Sequence, residues 1–178
     1  MLEPEVPYLS EICALLYLAQ CIKPDIFFAV NFLARYNNAP TCGHWTGVKD
    51  IFRYLKGTTD LGLFYPYRSS NDVALSASRV NSHLVGYVDV GYLSDLHKAR
   101  SQTAYVFTIG GIAISWRSTK QTLVATSSNH AEILALHEVT WECFWLRAVV
   151  GHIRSSCDLY PAVDVSIMIF EDNAACIE

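Results

Sequence analysis

Three acidic residues stand at places in the sequence where a carboxylate is unusual. Asp89 lies inside the otherwise apolar and aromatic run LVGYVDVGY, Glu132 lies on the apolar stripe of a helical segment, and Asp172 comes shortly after the apolar run IMIF. Carboxylates that converge on one site repel one another, and a divalent cation relieves that repulsion. Mg²⁺ prefers carboxylate oxygens, and two such ions about 4 Å apart can activate a water for phosphodiester cleavage. The three residues are therefore candidate metal ligands and catalytic residues.

Each of these carboxylates also has an ordinary structural explanation. Asp89 suits a strand end or a bulge, because acids are depleted from the interior of strands. Asn129 as an N-cap, with Glu132 at the third helical position, makes a capping box. Asp172 suits the N-cap of a helix that begins at Asn173. These explanations stay open for each residue taken alone, whereas the combination of the three favours a shared site.

Glu171 is a competing acid directly before Asp172. Side chains alternate between the two faces of a strand. If Glu171 shares one face with Ile167 and Ile169, then Asp172 shares the other face, and only one of the two acids can point into a common site. The prediction made from the sequence is that Asp172 does so.

Hydrophobic periodicity predicts the elements that must position these acids. Gly110-Gly111, between two β-rich runs, predicts a two-residue hairpin turn. The order of the elements predicts an α/β (α+β) fold, in which a short N-terminal helical unit is followed by a mixed sheet with flanking helices. The predicted helices span residues 8–22, 23–36, 41–57 and 129–150, and the predicted strands span residues 61–65, 84–92, 104–109, 112–116 and 164–170.

Composition restricts the class of protein. Hydrophobic residues make up 52% of the 178 residues and charged residues 17%, which argues against a disordered chain. The net charge of -4 is not the basic footprint of a free-standing nucleic-acid binder. The six cysteines include no C-x-x-C pair, which indicates a reducing, intracellular setting, and acidic residues near the N-terminus argue against a signal peptide. No apolar run approaches the roughly 20 residues that span a bilayer, so we expect no membrane partner.

Several longer blocks of the sequence resemble one family. The blocks HWTGVKDIFRYLKGTTDLGLFY, GYVDVGYLSD, KARSQTAYVFTIGGIAISWRSTKQTLVATSSNHAEILAL and FEDNAACI resemble the C-terminal part of a Ty1/copia-type retrotransposon Pol polyprotein. SWRSTKQ and the ATSS..AE block are the most specific of these elements. By this resemblance, residues 1–66 are the helical end of a reverse transcriptase-like region, residues 67–82 are a linker, and residues 83–178 are a ribonuclease H-like domain.

The resemblance implies a fold, an activity and a site. The family's ribonuclease H domain has a mixed five-stranded sheet and cuts the RNA strand of an RNA–DNA hybrid with Mg²⁺ or Mn²⁺. By position, Asp89, Glu132 and Asp172 correspond to its catalytic, metal-binding acids. Besides the hybrid, the implied partner is the upstream reverse transcriptase region, in a virus-like particle or the nucleus. The family's last strand and fourth acid would follow Glu178, so the domain is expected to be C-terminally incomplete.

Several departures from the family pattern leave three hypotheses open. His130 and Ile133 replace the residues that commonly flank the retained acid Glu132, and Ala104 stands where a glycine is usual. The paired-aspartate motif of the polymerase is absent, so no polymerase chemistry is expected. The chain is thus a metal-dependent ribonuclease H fragment, a catalytically inactive remnant that at most serves as an interaction module, or a nuclease or integrase of the same fold class with another specificity.

A basic stripe on the third predicted helix is the remaining candidate for a nucleic-acid contact. Lys49, Arg53 and Lys56 recur there at helical spacing. Such stripes are usually solvated faces, and a contact with phosphate groups is the alternative.

Overall fold

The computed structural model describes residues 6–65, 83–95, 98–157 and 167–172. The chain divides into two compact units. One unit comprises Met1–Phe64 with Arg117–Thr119, and the other comprises Tyr65–Trp116 with Lys120–Glu178. The predicted linker at 67–82 lies outside the described residues, so its boundaries stay a prediction.

The N-terminal helices form as the periodicity predicts. Helix α1 spans Tyr8–Cys21, a 3-10 turn spans Pro24–Ile26, α2 spans Phe27–Ala34 and α3 spans Cys42–Gly57. Thr41 caps α3 through a capping box, because its side chain accepts a hydrogen bond from the His44 N–H and its own N–H donates to His44 Nδ1. Fully buried apolar residues of the three helices form the core of this unit, namely Ile12, Ala19, Val30 and Val48.

The strand predicted at 61–65 is wrong. These residues follow α3 without regular secondary structure, and Leu61, Phe64 and Tyr65 are exposed. A short apolar run is an ambiguous signal, because it becomes a strand only where a neighbouring strand offers backbone hydrogen bonds.

The second unit is built on a mixed four-stranded sheet in the described part of the chain. Its strands are β1 (Leu84–Asp95), β2 (Arg100–Ile109), β3 (Ile112–Lys120) and β4 (Ile167–Phe170), in the order β3-β2-β1-β4. β2 is antiparallel to β1, and β4 is parallel to it. Gly110 and Gly111 have φ values of 60° and 80°, the left-handed conformation that a tight hairpin turn requires, so the predicted hairpin between β2 and β3 is confirmed.

Helix α4 (Ser128–Ser156) packs on this sheet and completes the core. The predicted helix at 129–150 is confirmed and is six residues longer at its C-terminal end. Apolar residues of β1, β2 and α4 meet in one cluster that includes Leu84, Val88, Phe107, Ala135, Val139 and Leu146. The mixed α/β class and the order of three strands, a helix and a fourth strand in this unit are therefore as predicted, and the arrangement is consistent with a ribonuclease H-like α+β fold.

No helix in residues 6–65, 83–95, 98–157 and 167–172 combines the length and the apolar character needed to cross a bilayer.

Candidate metal centre

Glu132 lies on the face of α4 that packs against the sheet. Its neighbours on that face, Ala131 and Ala135, are fully buried, and Glu132 itself is only 8% exposed. One carboxylate oxygen, Oε2, is buried and has no hydrogen-bond partner within the described residues. Burial of a carboxylate oxygen without a partner costs free energy, so the position calls for a proton or a cation.

The alternative explanation of Glu132, as part of a capping box with Asn129, is wrong. The N-cap of α4 is Ser127, whose hydroxyl accepts a hydrogen bond from the His130 N–H at 3.1 Å. The N-cap therefore lies two residues before Asn129, the helix begins at Ser128, and Glu132 is its fifth residue rather than its third. Its carboxylate is thus too far along the helix for the local role that a capping box would give it.

Gln121 positions the start of α4 and was not singled out from the sequence. Its side chain is 1% exposed, and its Nε2 donates hydrogen bonds to the Ala131 carbonyl at 2.8 Å and to Thr103 Oγ1 at 3.1 Å. Its backbone N–H also donates to the Ser101 carbonyl of β2. This one residue ties the helix turn that carries Glu132 to the sheet. The only signal in the sequence was its place at the end of the family-specific block SWRSTKQ.

The parallel pair β1 and β4 brings the other acids to the same edge of the sheet. Tyr87 pairs with Phe170 in the register of the two strands, and their exposed rings stack at 5.5 Å. Asp89 and Asp172 each follow two residues later, with Asp89 in the middle of β1 and Asp172 just beyond the carboxyl end of β4. The carboxyl ends of parallel strands are where ligands commonly bind in α/β sheets.

Three carboxylates converge at this edge. One oxygen from each of Glu132, Glu171 and Asp172 lies within 4.8 Å of the others. Both adjacent acids take part because regular strand structure ends at Phe170 and Asp172 lies in a bend. The expectation that only one of them could point into the site is therefore wrong. The role predicted for Asp172 stays a prediction.

Asp89 lies at the margin of this cluster. It is exposed on β1, opposite Ala104 of β2, and does not belong to the group of three within the described residues. Its negative charge is nevertheless near enough to affect Glu132. The structure thus brings Glu132 and Asp172 together and leaves Asp89 beside them.

The electrostatics of the cluster favour a bound proton or cation. The pKa of Glu132 is raised from 4.5 to about 7. Burial is the largest cause, followed by the charges of Glu171 and Asp172, a hydrogen bond with Glu171 and the charge of Asp89. Near neutral pH a proton therefore competes with any cation for this carboxylate. The donors are hard carboxylate oxygens close enough to share one ion, so Glu132, Glu171 and Asp172 fit Mg²⁺ or Mn²⁺.

Known proteins share this sequence over most of its length. A tobacco protein, the retrovirus-related Pol polyprotein from transposon TNT 1-94, is 35% identical over 91% of the chain, and the Arabidopsis thaliana Pol polyprotein from transposon RE2 is 34% identical over 88%. A protein of Plasmopara viticola, the secreted RxLR effector protein 161, is 37% identical over 79% of the chain and 92% of its own length. The chain belongs to the Ty1/copia-type retrotransposon Pol family.

The chain corresponds to one part of the long Pol proteins. It spans 12% of the TNT 1-94 polyprotein and 10% of the RE2 polyprotein. No family model matches the chain, and no solved structure matches it. Membership of the Pol family is therefore inferred from these sequence relatives, whereas any chemical role must be inferred from the geometry of the acid cluster.

The basic stripe on α3 has less support as a functional site than the acid cluster has. Arg53 forms an exposed ion pair with Asp50 on the same helix, which offsets its charge, while Lys49 and Lys56 are exposed. A contact between this stripe and nucleic acid stays a hypothesis.

Proposed function

We propose that residues 83–178 act as the ribonuclease H region of a copia-type Pol polyprotein and hydrolyse the RNA strand of an RNA–DNA hybrid with Mg²⁺ or Mn²⁺. The observation that carries this proposal is the convergence of Glu132 and Asp172 just beyond the carboxyl end of β4, with Asp89 on the neighbouring parallel strand β1. The buried, unpartnered Oε2 of Glu132 supports it, because that oxygen lacks the interaction that a cation supplies.

The residues of the chain have distinct parts in such a reaction. Glu132 and Asp172 would hold a divalent ion, and an ion bound there would activate a water and stabilise the leaving oxygen of the phosphodiester. Glu132 would first release the proton that its raised pKa favours. Asp89 is exposed on β1 beside this group, where it would complete the set of ligands when the hybrid is in place. Gln121 keeps the Glu132 turn of the helix against the sheet.

A cleavage assay on a labelled RNA–DNA hybrid tests the proposal. The full chain with Mn²⁺ should cut the RNA strand and leave the DNA strand intact, while Asp172→Asn and Glu132→Gln should each lose at least about tenfold in rate. Glu138→Gln is the matched control, because Glu138 lies on the same helix outside the acid cluster. A chain that binds Mn²⁺ and cuts no hybrid, or that cuts equally well after Asp172→Asn, contradicts the proposed activity.

A second candidate is a non-catalytic interaction module. The observation that favours it is the relative of similar length from Plasmopara viticola, whose name describes a secreted effector rather than an enzyme. A folded wild-type chain that fails to cleave the hybrid at any Mn²⁺ or Mg²⁺ concentration supports this candidate, and cleavage that depends on Asp172 excludes it.

A further inference from the structure

We propose that Glu171 is a direct ligand of the divalent cation, together with Glu132 and Asp172. This inference rests on the proposed function, because it concerns the same site. Neither the sequence pattern nor the family resemblance assigned Glu171 to that site, and the prediction from the sequence favoured its neighbour instead.

Glu171 directly follows β4 and continues the row of residues on its inner face. Ile167 and Ile169 are half-buried and pack against the core cluster, whereas Met168 and Phe170 are exposed. Glu171 continues the row of Ile167 and Ile169 and is half-buried in the same way. Its carboxylate therefore extends the face that α4 covers.

The position of Glu132 provides an independent reason for a ligand at this point. Glu132 is more than nine-tenths buried and points into the cluster, and its Oε2 has no hydrogen-bond partner within the described residues. One carboxylate oxygen each of Glu171 and Asp172 lies within 4.8 Å of a Glu132 carboxylate oxygen and of each other. This spacing allows one divalent ion to bind all three carboxylates.

The number of carboxylates around the ion has a chemical consequence. Three carboxylates carry more negative charge than one divalent ion neutralises, so they bind it more tightly than two would, and removal of one should weaken binding. Mn²⁺ takes the same hard carboxylate oxygens as Mg²⁺, which gives up its bound waters reluctantly, so Mn²⁺ is the better probe for the site.

Titration of the full chain with Mn²⁺, followed by calorimetry, tests the inference without any measurement of activity. Glu171→Gln keeps the size of the side chain and removes its charge, and it should weaken Mn²⁺ binding by at least about tenfold. Glu132→Gln and Asp172→Asn should weaken binding as well, whereas Glu138→Gln should leave it unchanged. Circular dichroism spectra establish that each variant is folded.

The outcomes separate this inference from the proposed function. If Glu171→Gln binds Mn²⁺ like the wild type while Glu132→Gln and Asp172→Asn bind weakly, Glu171 is not a ligand and the proposed function stands. If the wild type does not bind Mn²⁺, or if none of the three substitutions matters, both proposals are overturned.

A second variant keeps the inference testable if Glu171→Gln does not fold. Glu171→Cys replaces the hard carboxylate with a soft thiolate, which favours Cd²⁺. A ligand at position 171 should then produce a thiolate-to-Cd²⁺ absorption band beyond that of the wild type, whose own cysteines serve as the background. No additional band at saturating Cd²⁺ would show that position 171 does not contact the ion.

Discussion

Replacement of Glu132 by Gln should stabilise the protein at alkaline pH and leave it almost unchanged in acid. In the folded chain the pKa of Glu132 is raised from 4.5 to about 7, with burial as the largest cause and the nearby acids next. Gln resembles the protonated carboxyl group in shape and carries no charge. The variant therefore avoids the cost of holding a charged carboxylate in the buried acid cluster.

The sign and size of the effect follow from the two pKa values. Below about pH 4.5 the carboxyl group is protonated in both the folded and the unfolded chain, so it adds no pH dependence. Between 4.5 and about 7 the unfolded chain loses the proton first, and the free energy of unfolding of the wild type falls as the pH rises. The loss is nearly complete about one unit above pH 7 and amounts to about 3.5 kcal/mol, at about 1.4 kcal/mol per pH unit.

Urea unfolding of the full chain, followed by circular dichroism in the presence of EDTA, measures this difference. Near pH 4.5 Glu132→Gln should differ from the wild type by only a few tenths of a kcal/mol, and near pH 8.5 it should be more stable by about 3.5 kcal/mol. Glu138→Gln, on the same helix and outside the cluster, should show no such change with pH.

Two results would refute this reasoning. A Glu132→Gln variant that is less stable at both pH values would mean that the native carboxyl group makes favourable contacts that the amide cannot replace. A stabilisation of equal size at both pH values would mean that its origin is packing rather than charge. Saturating Mg²⁺ should reverse the alkaline difference, because the ion stabilises the wild type through the charged carboxylate.

The remaining predictions concern the frame around the site. Gln121→Ala should lower the free energy of unfolding by about 1–3 kcal/mol and weaken Mn²⁺ binding, because the buried hydrogen bonds of Gln121 hold the start of α4. Urea unfolding measures the first effect and calorimetry the second. Unchanged Mn²⁺ binding would contradict the positioning role of Gln121. Gly86→Ala should lower the free energy of unfolding by about 1–3 kcal/mol in the same assay, because a Cβ at Gly86 would lie 2.7 Å from the Phe107 ring. An unchanged free energy of unfolding would mean that the ring moves aside easily. Asp95→Asn should lower the thermal midpoint of unfolding, because buried Asp95 pairs with Lys120 at 3.3 Å; an unchanged midpoint would show that the pair adds no stability.

The sequence pattern predicted the elements well where the local signal was strong. Long apolar stripes placed α1, α3 and α4, and the pair Gly110-Gly111 placed the hairpin, because backbone conformation there depends on nearby residues. The strand predicted at 61–65 is absent, because a strand forms only beside a partner strand, which the local sequence does not reveal.

Part of the site could likewise be predicted from the sequence, and part could not. The types and positions of Glu132 and Asp172 already indicated a carboxylate centre in the sequence, because a helix stripe and a strand end are local features. Only the tertiary structure decided which acids meet. The N-cap of α4 is Ser127, so Glu132 lies too far along the helix for a capping box. Regular strand structure ends at Phe170, and Glu171 and Asp172 both reach the cluster with Glu132. Asp89 lies outside this group of three in the described residues. The raised pKa of Glu132 likewise arises from burial and from charges forty residues away in sequence, which only the packing of α4 on the sheet brings close.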